Sequence, residues 1–348
     1  MSGLSMLLVA LCTPIFALPN PRVPTWTTLS SIPSPRQEHT TLFLPPSTIA
    51  IIGGIIPLDD PTLVPPFATT SLMQFYNITS DTWSLGAPIP KPLNHINAAV
   101  VDGKIYVLGG LTDSSDHRGR AWRGATDSWV YDPSEDTWSD ISHDSLGAQG
   151  RGSAAVGIFN RKIYMAGGIT ELEFYGNHTQ TSVDLVSVFD TEKNIWLHVP
   201  EGASKLPEAR DHAGGAVVES KMYVLGGRNN GQENNKDTVF VLDLCDLEAG
   251  WAISDARMPT ARGGIAAGVV GHKVFTFGGE GDTSTASGVF GEVEAYDTAK
   301  NTWESFEKMK LPRHGTYAVG VGRKIYIPGG GVEQSGAPVA DFDVFTTT

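Results

Sequence analysis

Cysteines, charged residues and long apolar runs are scarce in this sequence, and each of these shortages excludes a class of protein to which the chain could belong. Two cysteines among 348 residues exclude a fold held by a network of disulfides. Only 18% of the residues are charged, and 38 acidic residues outnumber 25 basic ones, so the chain repels nucleic acid and anionic lipid. The apolar run in residues 1–17 is too short to span a bilayer. We therefore expect neither nucleic acid nor a membrane as a partner.

Common catalytic motifs are also missing. The sequence has no Gly-x-Ser-x-Gly elbow, no phosphate-binding P-loop and no dinucleotide fingerprint. The sequence therefore identifies no cofactor, and we assign no metal ligand from it.

The N-terminus and two short motifs indicate the cellular compartment of the protein. Residues 1–17, MSGLSMLLVALCTPIFA, precede LPNP and are typical of a secretory signal peptide cut near Ala17. Asn77-Ile-Thr and Asn177-His-Thr are N-glycosylation acceptors. We predict a secreted or secretory-pathway glycoprotein with glycans on Asn77 and Asn177. A moderately apolar N-terminus that is not cleaved remains the alternative, because the segment has no Lys or Arg.

Glycine and proline are abundant, with 39 and 22 residues, which favours many turns and an all-β fold. A strand-like run ending in Gly-Gly occurs six times, at spacings of 51 to 59 residues. The runs are TIAIIGG (ending at Gly54), KIYVLGG (Gly110), KIYMAGG (Gly168), KMYVLGG (Gly227), KVFTFGG (Gly279) and KIYIPGG (Gly330).

Two further positions recur with the Gly-Gly pairs. An arginine precedes the second glycine by 17 or 18 residues in five repeats, with leucine in its place in the second; these residues are Arg36, Leu93, Arg151, Arg210, Arg262 and Arg313. An aromatic residue precedes a tryptophan by seven residues in four repeats: Tyr76 and Trp83, Tyr131 and Trp138, Phe189 and Trp196, Tyr296 and Trp303.

This pattern resembles the kelch repeat, and the resemblance extends from Trp26 to the C-terminus. It implies a β-propeller in which each repeat is a four-stranded antiparallel blade. We therefore predict a single six-bladed kelch propeller over residues 24–348. Only five of the six repeats end in such a tryptophan, Trp251 of the fourth repeat included, so Trp26 supplies the missing one. The N-terminal strand should complete the C-terminal blade and leave no unpaired edge where the ring closes.

The resemblance also implies where a ligand binds. In kelch propellers the second position past the repeat arginine, or past the residue in its place, points at the mouth of the central channel. In this chain these positions hold Glu38, His95, Ser153, His212, Gly264 and Gly315, and Asp211 and His314 stand one residue before two of them.

Imidazoles and carboxylates at one channel mouth can act as general acid and base, or as ligands for a divalent metal. We predict His95, His212 and Glu38 as catalytic residues, and Asp211, His314 and Ser153 as ligand-binding residues. The alternative is a structural role in bonding loop backbones.

Long loops after the Gly-Gly pairs add a second group of candidates, since loops on a rigid scaffold often bind ligands. Arginines beside a tryptophan can clamp a carboxylate or phenolate while the ring stacks on it. The candidates are Arg120, Trp122, Arg123, Tyr175 and Arg228. The alternative is that these polar loops are merely solvated.

Three functions remain open, and whether the protein is an enzyme is undecided. The preferred one is a secreted, monomeric kelch protein that binds a small polar molecule, with Arg120 to Arg123 orienting an anionic substrate. It would contribute a non-redox rearrangement or isomerisation in fungal secondary-metabolite biosynthesis. A non-catalytic carbohydrate- or protein-binding propeller is the second. A sugar epimerase or mutarotase is the third, because the resemblance includes exported propellers of that kind.

Overall fold

A computed structural model describes residues 23–60, 66–117, 119–142, 150–174 and 179–348. The predicted signal peptide 1–17 and the candidates Tyr175 and Asn177 lie outside the described residues. Within these ranges, none of the helices has both the length and the apolar character needed to cross a membrane.

Regular structure in these ranges is almost entirely β-strand. The strands are β1 (Thr25–Thr28), β2 (Thr40–Leu44), β3 (Thr48–Ile52), β4 (Ile55–Pro57), β5 (Phe67–Thr69), β6 (Met73–Asn77), β7 (Thr82–Leu85), β8 (Ala98–Val101), β9 (Lys104–Asp116), β10 (Gly119–Asp132), β11 (Thr137–Asp140), β12 (Ala155–Phe159), β13 (Lys162–Ala166), β14 (Ile169–Glu173), β15 (Gln180–Ser182), β16 (Val186–Asp190), β17 (Ile195–Leu197), β18 (Gly214–Val218), β19 (Lys221–Leu225), β20 (Val239–Asp243), β21 (Trp251–Ile253), β22 (Ala266–Val270), β23 (Lys273–Phe277), β24 (Val293–Asp297), β25 (Thr302–Ser305), β26 (Val319–Val321), β27 (Lys324–Pro328), β28 (Gly331–Glu333), β29 (Gly336–Pro338) and β30 (Phe342–Thr346). A short 3-10 helix (Leu247–Ala249) precedes β21.

Most of these strands form four-stranded antiparallel units, one for each repeat. Their orders are β2-β3-β6-β7, β8-β9-β10-β11, β12-β13-β16-β17, β18-β19-β20-β21, β22-β23-β24-β25 and β26-β27-β30-β1. The first strands contact one another in the cycle β2, β8, β12, β18, β22, β26 and back to β2. The all-β architecture predicted from the sequence, with one antiparallel sheet for each repeat, is confirmed.

The N-terminal strand is the outer strand of the C-terminal sheet. β1 pairs with β30, with Thr25 opposite Thr346 and Trp26 opposite Phe345. The Trp26 ring lies 4.9 Å from the ring of Phe345 and 5.8 Å from that of Phe277, between ring centroids. Trp26 thus joins the first and last segments of the chain and packs against the neighbouring sheet.

The Gly-Gly pairs bind each sheet to the next. The first glycine of each pair has a φ between +59° and +75°, a conformation that glycine adopts without strain. A Cβ on Gly278 would lie 1.9 Å from the carbonyl oxygen of Arg313 in the following repeat. The amide of Gly279 donates to that same oxygen at 3.0 Å. Equivalent bonds of 2.7–2.9 Å occur at the first, third, fourth and sixth pairs, so the repeat spacing fixes the contact between sheets.

The second repeat departs from this plan. Where the other repeats have an arginine it has Leu93, and β9 runs unbroken through its Gly-Gly and forms a long hairpin with β10. The hairpin also pairs with β14 of the next repeat, with Ala121 opposite Glu173. It carries Trp122 to within 5.2 Å of the His95 ring, between centroids, which places an aromatic side chain over the channel mouth.

Replacing Trp26 by alanine should destabilise the whole fold, because the side chain packs where the N- and C-terminal strands meet. We expect a loss of about 3 kcal/mol in the free energy of unfolding, and a fall of roughly 5 °C in Tm. Leu85→Ala, in the exposed outer strand of the first sheet, is the control and should change stability by less than about 0.5 kcal/mol. An unchanged Tm for Trp26→Ala in thermal unfolding would contradict the role of β1 in closing the fold.

Candidate functional site

Six equivalent residues form a closed ring of backbone hydrogen bonds at the centre of the molecule. Each amide donates to the carbonyl of the preceding member, at 2.5–3.3 Å, and the first donates to the last. Every member has a φ between +51° and +69°. The members of this backbone ring are Glu38, His95, Ser153, His212, Gly264 and Gly315. These are the six positions that the kelch resemblance singled out.

Three members of the backbone ring place titratable side chains together, and we call them the Glu-His-His cluster. The Nε2 atoms of His95 and His212 lie 3.0 Å apart. Glu38 Oε2 lies 3.2 Å from the first of these nitrogens and 4.0 Å from the second. All three residues are at most 5% exposed, so water screens these contacts poorly.

Hydrogen bonds at the far side of each imidazole fix its orientation. His95 Nδ1 lies 2.5 Å from Asn94 Oδ1, and Asn94 in turn donates its amide hydrogen to Thr69. His212 Nδ1 lies 2.5 Å from Asp211 Oδ1. Because these two oxygens can only accept, each Nδ1 carries the proton and donates it. Each Nε2 therefore turns a lone pair towards the interior of the Glu-His-His cluster.

Buried charges surround the Glu-His-His cluster. Arg228 bonds Asp211 through Nε (3.1 Å), Glu280 through Nη1 (2.5 Å) and His212 Nε2 through Nη2 (3.2 Å). His314 Nδ1 lies 3.4 Å from Glu280 Oε2. Two ionised carboxylates thus surround one guanidinium in a region that is almost closed to water.

The surroundings set different protonation states for the two glutamates. Burial raises the pKa of Glu38 to about 8, and the ionised Glu280 nearby adds to the rise. Burial alone would raise the pKa of Glu280 too, but His314 and Arg228 outweigh it and lower this pKa to about 2. Burial also lowers the pKa values of His95 and His212, and the Arg228 charge lowers both further. Near neutral pH, Glu38 is therefore an acid beside two neutral imidazoles.

Glycine at the remaining ring positions makes room for the carboxylates. A Cβ on Gly315 would lie 2.2 Å from Glu38 Oε1, so any larger residue there would displace this side chain. A Cβ on Gly264 would touch the side chains of Glu280 and His314. Four members of the backbone ring thus carry side chains, and the two consecutive glycines leave space for the carboxylates of Glu38 and Glu280.

A cavity of about 430 Å³ opens above the Glu-His-His cluster. One side is an aromatic wall formed by Phe67, Trp122 and Phe174, whose ring centroids lie 4.7–5.9 Å apart. The indole nitrogen of Trp122 donates to Asp113. The opposite side is polar and includes Glu280. A ligand here meets rings on one face and hydrogen-bonding groups on the other.

The residue directly after each Gly-Gly pair explains this division. In the first three repeats it is apolar (Ile55, Leu111 and Ile169), and these residues pack in one cluster with Phe67 and Trp122. In the next two repeats it is Arg228 and then Glu280, which form the buried ion pair.

The structure brings together most, but not all, of the residues predicted from the sequence. Glu38, His95, His212, Trp122 and Arg228 line the cavity. Asp211 and His314 support it from behind, through His212 and Glu280 respectively.

Besides Asp211 and His314, three predicted ligand-binding residues do not line this cavity. Arg120 donates to the carbonyl of Phe67 and lies over the Phe174 ring, while Arg123 pairs with Glu171 at 2.7 Å. Neither guanidinium is therefore placed to orient an anionic substrate there, because their partners hold them at the hairpin. Ser153 is hydrogen-bonded to Tyr317, which lines the channel between the first strands on the other side of the backbone ring.

Sequence reasoning missed Glu280, Asn94 and the two phenylalanines of the aromatic wall. A signal existed for Glu280, because it occupies the same repeat position as Arg228. Asn94 stands one residue before His95, as Asp211 does before His212, and that parallel could have identified it. The phenylalanines lie outside the repeat pattern, Phe67 at the start of β5 and Phe174 directly after β14.

Comparison with known proteins identifies the repeats independently. A family model described as the KLHDC2/KLHL20/DRC7 Kelch-repeats domain matches residues 15–213 and 160–348. The Kelch-like protein terF of Aspergillus terreus is 40% identical over 308 residues, covering 88% of this chain and 63% of that protein. The human Kelch-like protein 25 is 27% identical over 245 residues, covering 70% of this chain and 38% of that protein. This chain therefore spans less than two thirds of the length of either relative.

Glu38→Gln should change how stability depends on pH. A raised pKa means that the Glu38 carboxyl holds its proton more tightly in the folded state than in the unfolded state. The stability that this proton contributes to the fold is complete below the unfolded pKa near 4.5, and it is lost as the pH rises towards about 8. Glutamine cannot ionise. The variant should therefore gain stability relative to the wild type between about pH 5 and about pH 8, by on the order of 3 kcal/mol.

Urea unfolding across this range measures the difference, with the exposed Glu201→Gln as the control. Parallel pH profiles for wild type and Glu38→Gln would show that Glu38 titrates as an ordinary surface carboxyl.

Proposed function

Because this chain belongs to the kelch-repeat family, we propose that it binds a small cyclic molecule with hydroxyl groups in the cavity above the backbone ring. The aromatic wall supports a ring-shaped ligand, since aromatic faces stack on flat or cyclic groups. Gln37 Oε1 and Gln180 Oε1 are buried and have no hydrogen-bond partner among the described residues, although both residues line the cavity. A ligand hydroxyl can donate to each of them.

The charges around the cavity favour a neutral ligand. Arg228 is shared between Asp211 and Glu280, His314 lies beside Glu280, and the guanidinium groups of Arg120 and Arg123 are held at the hairpin. An anion entering here would meet cationic groups that already have partners, with two carboxylates close by and little water to screen them. We therefore replace the anionic substrate expected from the sequence with an uncharged one.

The reaction that this geometry supports best is a non-redox isomerisation by proton transfer. The observation that carries it is the buried acid Glu38 lying 3.2 Å from the lone-pair nitrogen of His95, which in turn contacts His212. An acid and a base held side by side at one cavity can act on neighbouring atoms of one substrate.

In this mechanism Glu38 donates its proton to a substrate oxygen while His212 Nε2 accepts one from the adjacent carbon. Asp211 stabilises the imidazolium that forms on His212, and His95 Nε2 shares the proton that His212 Nε2 has taken up. The substrate in this step is an α-hydroxy ketone or aldehyde, so the intermediate is an enediol. Its second hydroxyl then gives its proton to Glu38 and becomes the new carbonyl, while the His212 imidazolium protonates the former carbonyl carbon. No electrons leave the substrate, and its elemental composition is unchanged.

We assign this step to fungal secondary-metabolite biosynthesis. The 40% identity to an Aspergillus kelch protein supports a fungal setting, and the size of the cavity supports a small-molecule substrate. If the wild type binds the compound without converting it, the protein is a non-catalytic binding propeller.

His95→Gln and His212→Gln should each abolish most of the conversion. The substrate to use is the compound that accumulates when the gene is deleted in its source organism. We expect each variant to lower kcat by about 10²- to 10⁴-fold, because each removes part of the base. In D₂O, the wild type should introduce deuterium at the carbon that His212 protonates. His198→Gln, at an exposed position, is the matched control. Full conversion by the double variant would exclude this mechanism.

We also propose that the protein is exported and carries a glycan on Asn77. Asn77 and Thr79 are exposed in the turn between β6 and β7, where an oligosaccharide transferase can reach them. The Asn77 side-chain oxygen accepts bonds from the amides of Thr79 and Ser80, and the nitrogen is the atom that a glycan modifies.

Asn77→Gln should remove one glycan from the protein expressed in a fungal host. Mass spectrometry before and after endoglycosidase treatment measures the change. Thr79→Ser preserves the acceptor motif and should keep the glycan. A wild-type protein recovered from the medium without a glycan on Asn77 would contradict this assignment.

A further inference from the structure

The two imidazoles of the Glu-His-His cluster face each other through nitrogen lone pairs. With Asn94 Oδ1 and Asp211 Oδ1 each accepting a proton from Nδ1, neither neutral ring has a proton on Nε2. These two acceptor nitrogens nevertheless lie only 3.0 Å apart. A cation between them would turn this unfavourable contact into two favourable ones.

The surrounding charges favour a cation of charge two. An ionised Glu38 joins Asp211 and Glu280 in a buried region that also holds Arg228 and the His314 imidazole beside Glu280, so the three carboxylates outnumber the permanently charged Arg228 by two. A divalent ion offsets more of this excess than a monovalent one does.

We propose that Glu38 Oε2, His95 Nε2 and His212 Nε2 bind one first-row divalent metal ion, with Zn²⁺ as the reference ion. The three donor atoms are 3.0, 3.2 and 4.0 Å apart. Zinc bonds of about 2.0–2.2 Å at tetrahedral angles place their ligand atoms about 3.3 Å apart, so small side-chain adjustments suffice. All three residues are buried, and their donor atoms lie within 4.8 Å of one another.

The second layer of contacts also fits a metal site. Histidines that bind metals usually donate their other ring hydrogen to a carboxylate or another oxygen acceptor, which orients the ring and raises its basicity. Asp211 does this for His212, and Asn94 does it for His95. Two histidines and one carboxylate are a common ligand set for catalytic zinc and non-haem iron, with positions left for substrate.

Arg228 is the strongest objection, because its Nη2 lies 3.2 Å from His212 Nε2. The metal would replace this one contact. The same guanidinium keeps Asp211 and Glu280 as partners through Nε and Nη1, so it remains neutralised when the metal binds. His314 is not assigned as a ligand, because its Nε2 lies 2.8 Å from the carbonyl oxygen of Glu333.

This inference uses the same residues as the proposed function and changes the role of one of them. With the metal bound, Glu38 is a ligand instead of an acid, and the ion takes over the polarisation of the substrate oxygen. Glu38, His95 and His212 all line the cavity, so a ligand stacked on the aromatic wall would approach an ion held by them from that side.

The test is direct metal binding by tag-free, full-length protein. Protein stripped with a chelator is dialysed against micromolar Zn²⁺, and bound metal is measured by elemental mass spectrometry. We expect about one ion per chain, and a Tm that rises with zinc. His95→Gln and His212→Gln should each weaken binding by more than tenfold, and Asp211→Asn by about 10- to 100-fold. His198→Gln should bind as the wild type does.

Two further measurements separate loss of the site from loss of the fold. Circular dichroism without metal shows whether each variant is folded. The Glu38→Gln variant preserves the shape of the side chain while it removes the charge of this ligand. Loading with Co²⁺ gives visible absorption bands that report imidazole ligation. Less than about 0.1 ion per wild-type chain, or equal binding by the folded double variant His95→Gln/His212→Gln, would overturn the inference.

The metal inference and the proposed function can fail separately. A metal-free protein that converts its substrate at the full rate, and takes up no Zn²⁺, refutes only the metal. A protein that binds one Zn²⁺ at the Glu-His-His cluster but neither binds nor converts the accumulated compound refutes only the proposed reaction.

Discussion

Six backbone hydrogen bonds at the centre of the molecule bring the side chains of Glu38, His95 and His212 together. Each runs from one repeat to the preceding one, and each requires a residue with positive φ. A closed ring of this kind forms only when the first and last repeats meet, which depends on β1 pairing with β30. The position of Glu38 beside the histidines is therefore a consequence of how the chain closes.

The backbone ring also explains why polar chemistry is possible in so buried a place. Its members have their amides and carbonyls already paired, so their side chains are free to hold protons or bind ligands. Asp211 and Glu280 are costly to bury and are stabilised by Arg228, which is itself fixed between them. Burial raises the pKa of Glu38, the ionised Glu280 adds to the rise, and the site gains its acid.

The repetitive part of the molecule could be predicted from the sequence, because each repeat meets the same packing problem. The Gly-Gly spacing indicated the sheets, the tryptophan count indicated the role of Trp26, and the position after the repeat arginine indicated the three cluster residues. The sequence pattern says less where loop geometry decides. The proximity of Arg120 and Arg123 to Trp122 in the sequence makes them candidates for binding an anionic substrate, which stays a prediction. Pairing of β10 with β14 instead gives Arg123 a carboxylate partner, and the pattern contained no information on that pairing.

The central claim is that side chains from separate repeats act as one unit, and a double-mutant cycle on His95 and His212 tests it most directly. The free energy of unfolding is measured by urea for wild type, His95→Gln, His212→Gln and the double variant. The Nε2 atoms of His95 and His212 lie 3.0 Å apart, so each substitution alters the environment of the other ring. We therefore predict a coupling energy of about 1 kcal/mol or more. A coupling below about 0.3 kcal/mol would contradict the account, since it would mean that the two imidazoles do not meet.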